Sequence, residues 1–169
     1  DQIDFKSALW TIPAANMKGT KDRKENGDPH LVPLPTQVVK LLRELKPFVG
    51  TSEFVFRGER QASKPISDNS VRAALYSLGF GKSQSWHGFR ASGRTMLAEQ
   101  LNENVEHLEA QLAHAVKDTN GTSYNRAVFI KQRRAIMQRW ADYLDGIKRK
   151  ATKPIRSSGG NKKTKKYLH

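Results

Sequence analysis

The sequence predicts a mostly helical domain with a small antiparallel sheet near its start. Three observations lead there: two strand-like runs, ALWTIPAANMK and HLVPLP, both lie before residue 36; most apolar residues after them recur at helical spacing; and no segment repeats. A chain of 169 residues is long enough for one domain with a real hydrophobic core.

In chain order, ALWTIPAANMK alternates enough for a strand, and HLVPLP reads as a second whose Pro33 and Pro35 suit an edge or an exit. The intervening KGTKDRKENGDP, with its Gly, Asp, Asn and Pro, reads as a long hairpin tip, and its lysines and arginine make it a mobile cationic finger. Thr36 is suited to cap a helix carrying Val38, Val39, Leu41, Leu42 and Leu45, with the pattern stopping before Pro47. EFVF, at 53–56, is short enough for strand or buried loop. RGERQASKPIS is loop by composition; Ser67 or Asp68 then opens a helix with Val71, Ala74, Leu75 and Leu78 on one side, closed by Gly79.

HGFRASGRTMLAEQL predicts a further helix whose apolar side holds Phe89, Met96 and Leu97, and NVEHLEAQLAH a shorter one with Val105, Leu108 and Leu112. The longest amphipathic pattern is NRAVFIKQRRAIMQRWADYLDGI, with Val128, Ile130, Ile136, Met137, Trp140, Tyr143 and Leu144. From Lys148 onward apolar anchors are few and positive charges many, so 148–169 reads as a disordered basic tail behind a domain spanning 1–147.

Thirty Lys and Arg against sixteen Asp and Glu give a net charge of +14, and self-repulsion on this scale points to a polyanionic partner, nucleic acid first. An anionic membrane surface is the second candidate, but no apolar run approaches the roughly 20 residues of a spanning helix, and no secretory signal opens the sequence. The expected setting is cytoplasmic. With no cysteine there is no disulfide framework, thiolate nucleophile or Cys-ligated zinc, and the five histidines lack paired zinc spacing, so neither metal nor cofactor is expected.

Three places hold candidate chemistry. In WHGFR, His87 and Arg90 stand three apart, so on a helix both face one phosphate; the planar guanidinium offers it two parallel hydrogen bonds and the imidazole a third, or a proton transfer. On spacing alone this short pattern also describes a helix-start histidine beside a surface arginine. LAHAV puts His114 at the end of an apolar helix, where a half-buried structural histidine is also common. Tyr124 follows the Asn120-Gly121 turn, with few apolar partners beside it. A phenol, with an ordinary pKa of about 10, becomes a nucleophile at neutral pH only with help from a base or concentrated positive charge. It also reads as a residue capping the next helix and packing on Val128.

In that order, the strand-MK-basic turn-HLVPL, WHGFRASGRTMLAE, and LAHAVKDTNGTSYNRAVFIKQRRAIMQRWADYLD blocks resemble the catalytic domain of tyrosine recombinases of the phage integrase type, as found in prophages and genomic islands. The resemblance reaches to about Gly146, and its most specific element is YNRA through RRAIMQRWADYL. It implies the catalytic-domain fold of DNA breaking-rejoining enzymes, and site-specific integration and excision of DNA through a 3′-phosphotyrosyl intermediate with no metal or nucleotide consumed. Tyr124 is then the implied nucleophile. Arg90 would hold the non-bridging oxygens, His87 would bond the phosphate or accept the tyrosine proton, and His114 would bond a non-bridging oxygen. Lys18 matches the lysine implied to protonate the leaving 5′-oxygen, with Lys21 and Lys24 in the same turn as substitutes. His30 is a weaker match that reads better as part of the second strand.

Family members carry a further catalytic arginine on a helix ahead of the first strands, and no residue after Asp1 matches it. The chain is thus expected to be an amino-terminally truncated form of the domain, weak or inactive in recombination by itself while retaining salt-sensitive DNA affinity. Arg57, Arg60, Lys64 and Lys82 are candidate phosphate contacts or simply a solvated basic surface. Double-stranded DNA and a tetramer on that DNA are the implied partners. A non-catalytic DNA-binding remnant and a tyrosine-type topoisomerase are the competing readings.

Overall fold

A computed structural model describes residues 2–58, 60–114 and 129–152. The chain opens with a three-stranded antiparallel sheet in the order β1 (Ile3–Asp4), β2 (Leu9–Ile12) and β3 (His30–Pro33). The register pairs Ile3 with Trp10, and Leu9 through Ile12 with Pro33 back to His30. Asp4 turns the chain between β1 and β2, its carboxylate accepting from the backbone N–H of Lys6 at 2.8 Å and the hydroxyl of Ser7 at 2.6 Å. The sequence pattern reveals β2 and β3 but not β1, which is only two residues long. β3 is an edge strand, and this explains why Pro33 is tolerated at its end.

The predicted mobile finger between β2 and β3 is instead folded. A 3-10 turn (Ala14–Asn16) leads to a short helix, α1 (Lys21–Asn26). Thr20 accepts from the Arg23 N–H at 3.4 Å, Asn26 donates to Asp22 at 2.8 Å, and Lys21 lies 3.9 Å from Glu25. An N-cap followed by two side-chain pairs at i,i+4 outweighs the turn-forming composition that suggested a loop.

The helix α2 (Thr36–Val49) starts with Thr36 inside it and runs through Pro47 rather than ending before it. Pro47 falls in the last turn, where the hydrogen bond it forgoes would have gone to the carbonyl of Arg43, an exposed residue. EFVF forms no strand; the loop it belongs to carries an isolated β-bridge between Arg57 and Pro65. Helix α3 (Asp68–Ser77) opens at Ser67 as expected and is closed by Gly79 at φ +82°. Helices α4 (Trp86–Glu99), α5 (Val105–Gln111) and α6 (Ile130–Thr152) complete the described chain. α6 passes the expected boundary at 147, so the first five residues of the predicted tail are helical.

The core lies where α4, α5 and α6 meet. Leu97, Leu108 and Ile136 are its buried centre, with Ala98, Leu101 and Trp140 packed around them. Truncating any of the three to alanine costs on the order of 2–5 kcal/mol. Phe89, Val105 and Leu144, expected on apolar faces, are exposed, as is Leu41 on α2. α6 is the spine: Gln138 accepts from the Thr36 N–H at 3.0 Å, satisfying an orphan donor at the start of α2, and Arg139 holds Glu103 through two bonds of 2.5 and 2.7 Å. Arg133, fully buried, donates to the Gln111 side chain at 2.9 Å and to the Leu31 carbonyl. Hairpin, α5 and α6 are joined at that one side chain.

Candidate active site

Ser85 caps α4, its hydroxyl accepting from the Gly88 N–H at 3.0 Å. That start places His87, Arg90 and Arg94 at i, i+3 and i+7, on one helix face. The face meets the carboxyl end of α5, whose geometry decides where His114 points.

α5 ends in a Schellman turn. The His114 N–H bonds to the Glu109 carbonyl at 3.0 Å and the Ala113 N–H to the Ala110 carbonyl at 3.2 Å, with Ala113 in the left-handed region at φ +57°. Glycine ordinarily fills that position, because a Cβ is strained there. Ala113→Gly is therefore expected to stabilise the fold by roughly 0.5–1 kcal/mol, read from urea denaturation, with His114 left in place.

Arg90 reaches across from α4. Its Nη2 donates to the Leu112 carbonyl, at the negative end of α5, and lies 3.1 Å from His114 Nε2. On the far side of the imidazole, Nδ1 meets Glu109 Oε2, while Glu109 Oε1 accepts from Arg94 Nε at 2.6 Å. Four side chains, from α4 and from α5 with the turn that ends it, thus form one line: Arg90, His114, Glu109, Arg94. Partial burial alone pushes the Glu109 carboxyl up, but hydrogen bonds from His114 and Arg94, with both their charges, outweigh it and hold the group below its ordinary value. Glu109 is accordingly a carboxylate at neutral pH.

The arrangement offers an anion a cationic rim open to solvent. His114 keeps half of its side chain exposed, and Arg90 and His87 are exposed as well. Among the described residues only the Nη2 of Arg90 has a partner, which leaves the donors on Nε and Nη1 for phosphate oxygens. A group of three or more metal-ligating side chains does not occur among the described residues.

The other sequence-predicted residues lie around this centre to different degrees. Tyr124, with its whole segment 115–128, lies outside the described residues. Lys18 is exposed between the 3-10 turn and α1, bonded to no member of the line. The hairpin bearing it is fastened at its base to the same end of α5, where His30 Nε2 lies 3.2 Å from the Gln111 carbonyl. His30 is buried in β3, in keeping with its reading as a strand residue. Arg57, Arg60, Lys64 and Lys82 are exposed; Arg57 Nε donates to the Phe48 carbonyl at 3.2 Å, bracing the loop after α2.

Sequence reasoning missed Glu109, Arg94 and Arg133. Arg94 carried a signal, standing four residues after Arg90 on the same helix face. Glu109 carried a weaker one, since its reach to His114 depends on the left-handed turn at Ala113. Arg133 carried none, being one of several basic residues on an amphipathic helix.

No family model and no solved structure matches the chain. Curated relatives do. The chain is 37% identical over 144 residues to the prophage integrase IntA of Escherichia coli K12, covering 85% of this chain and 33% of that protein. It is 39% identical over 145 residues to the prophage integrase IntZ of the same strain, covering 86% and 34%, and 34% identical over 157 residues to the integrase of Enterobacteria phage P4, covering 86% and 35%. The chain therefore spans about a third of the length of these relatives. Along 85–86% of its length the chain is thus similar in sequence to a part of these phage and prophage integrases.

Proposed function

We propose that the chain supplies most of the strand-cleavage site of a site-specific DNA recombinase, which integrates or excises a mobile element through a covalent 3′-phosphotyrosyl intermediate. The observation that carries this reading is the contact between Arg90, on α4, and His114, just past the end of α5, two residues that the resemblance independently implies for one phosphate. Residues 1–147 would form the catalytic domain, with the fold of DNA breaking-rejoining enzymes. Double-stranded attachment-site DNA would be its substrate, a tetramer on that DNA its working assembly, and the cytoplasm its setting. Among the described residues no helix is long and apolar enough to cross a membrane.

In the proposed reaction the Tyr124 phenolic oxygen attacks the scissile phosphorus, forming the O–P bond as the bond to the 5′-oxygen breaks. The phenolic proton passes to His87 or to water, and the leaving oxygen takes a proton from Lys18. Arg90, oriented by its contact with His114, neutralises the charge that gathers on the non-bridging oxygens, the fixed electrostatic contribution that dominates many phosphoryl transfers. Attack by the partner strand's 5′-hydroxyl reverses each step. Arg57, Arg60, Lys64 and Lys82 would hold neighbouring phosphates, positioning the duplex without reading it.

Trapping tests the reading. The intact protein, incubated with a nicked attachment-site duplex, is expected to give a denaturation-resistant protein–DNA adduct with a free 5′-hydroxyl, formed equally well with chelator present. A non-catalytic DNA-binding remnant would shift the duplex in a gel and form no adduct. A topoisomerase would form one on a single duplex and relax supercoils without joining two sites.

A further inference from the structure

We propose that Glu109 is a positioning residue for strand cleavage: its carboxylate fixes the orientation and tautomer of His114, and through Arg94 it ties that imidazole to the helix bearing Arg90. The inference rests on the strand-transfer reading above and adds a residue to it.

Hydrogen-bond chemistry determines the direction of each bond in the line. A guanidinium only donates, so His114 Nε2, 3.1 Å from Arg90 Nη2, must present its lone pair. In a neutral ring the proton then resides on Nδ1, and Nδ1 faces Glu109 Oε2, which only accepts. The second carboxylate oxygen is occupied by Arg94 Nε at 2.6 Å. Glu109 also takes the His114 backbone N–H on its own carbonyl, at 3.0 Å. One residue therefore governs both the backbone and the ring of His114, leaving Nε2 as the nitrogen that faces the Arg90 side. An imidazole oriented by a carboxylate on its far nitrogen is a recurrent means of fixing the ring's tautomer, and here it keeps the Nε2 lone pair turned to the Arg90 guanidinium that would hold the phosphate.

Glutamine cannot replace this carboxylate. Its single amide oxygen can serve either Arg94 or His114, and its NH2 then meets the other as donor against donor. Where NH2 faces Nδ1, the ring must shift to the opposite tautomer and aim an N–H at Arg90.

Two measurements test the proposal. The first uses this chain alone, with 15N-labelled histidine observed at pH about 8.5, above the ordinary imidazole value of about 6.5. His114 should show a protonated Nδ1 and an unprotonated Nε2, and Glu109→Gln should mix the tautomers. The reverse tautomer in the unaltered chain overturns the proposal, whatever the variant does. The second uses single-turnover cleavage by the intact protein. Glu109→Gln should slow cleavage at least about tenfold with little change in DNA affinity, and should have almost no further effect in a His114→Ala background. Equal losses in both backgrounds overturn it, because a merely structural glutamate would not act through His114. Absence of any adduct from the unaltered protein would instead contradict the strand-transfer reading, leaving the tautomer result to stand by itself.

Discussion

Tyr124→Phe is expected to erase the covalent protein–DNA adduct of the intact protein while leaving duplex affinity nearly unchanged. The substitution removes one oxygen, and with it the only atom able to form the phosphodiester to tyrosine. Affinity would have a different source: a net charge of +14 favours a polyanionic duplex mainly through release of condensed counterions, a contribution that falls steeply with salt and does not involve a phenol. Denaturing gels read the adduct and a salt series of gel shifts reads the affinity. If the adduct survives, Tyr124 is not the nucleophile.

The second large effect concerns stability. Arg133→Met should destabilise this chain by roughly 2–4 kcal/mol, measured by urea denaturation. Burial pushes the Arg133 guanidinium down to about 10, still well above neutrality, so a full charge sits inside the fold. Methionine matches its length but donates nothing, leaving the Leu31 carbonyl and the Gln111 side chain without this donor where water enters poorly. The loss falls where hairpin, α5 and α6 meet, so it should also loosen the His30 contact to Gln111 that fastens the hairpin to the site. Arg133→Lys, which keeps the charge but not the fork, should be intermediate. An Arg133→Met chain as stable as the original would remove Arg133 from the account of how α6 is seated.

Elements with a long apolar period were legible in the sequence. α2, α4, α5 and α6 announce themselves by spacing and α3 by its opening at Ser67, and Leu97, Leu108 and Ile136 form the core where that spacing placed them. α1 was not legible, because its stability comes from pairs between polar side chains that composition alone assigns to a loop. β1 is too short to carry a period. At the candidate site, His87, Arg90 and His114 could be named from pattern and resemblance, but their juxtaposition could not. It depends on the left-handed turn at Ala113, a residue that does not signal such a turn, and on Glu109 folding back from one helical turn earlier.

The most direct test of the central claim, that Arg90 serves the negative charge of the scissile phosphate, is to compare single-turnover cleavage on two duplexes. One carries an ordinary phosphodiester at the cleavage point, the other a methylphosphonate, in which an uncharged methyl replaces one non-bridging oxygen. Arg90→Ala should slow the intact protein about a hundredfold or more on the phosphodiester, the scale typical of losing a fixed electrostatic contact. On the neutral methylphosphonate most of that penalty should vanish. A penalty of equal size on both substrates would contradict the account.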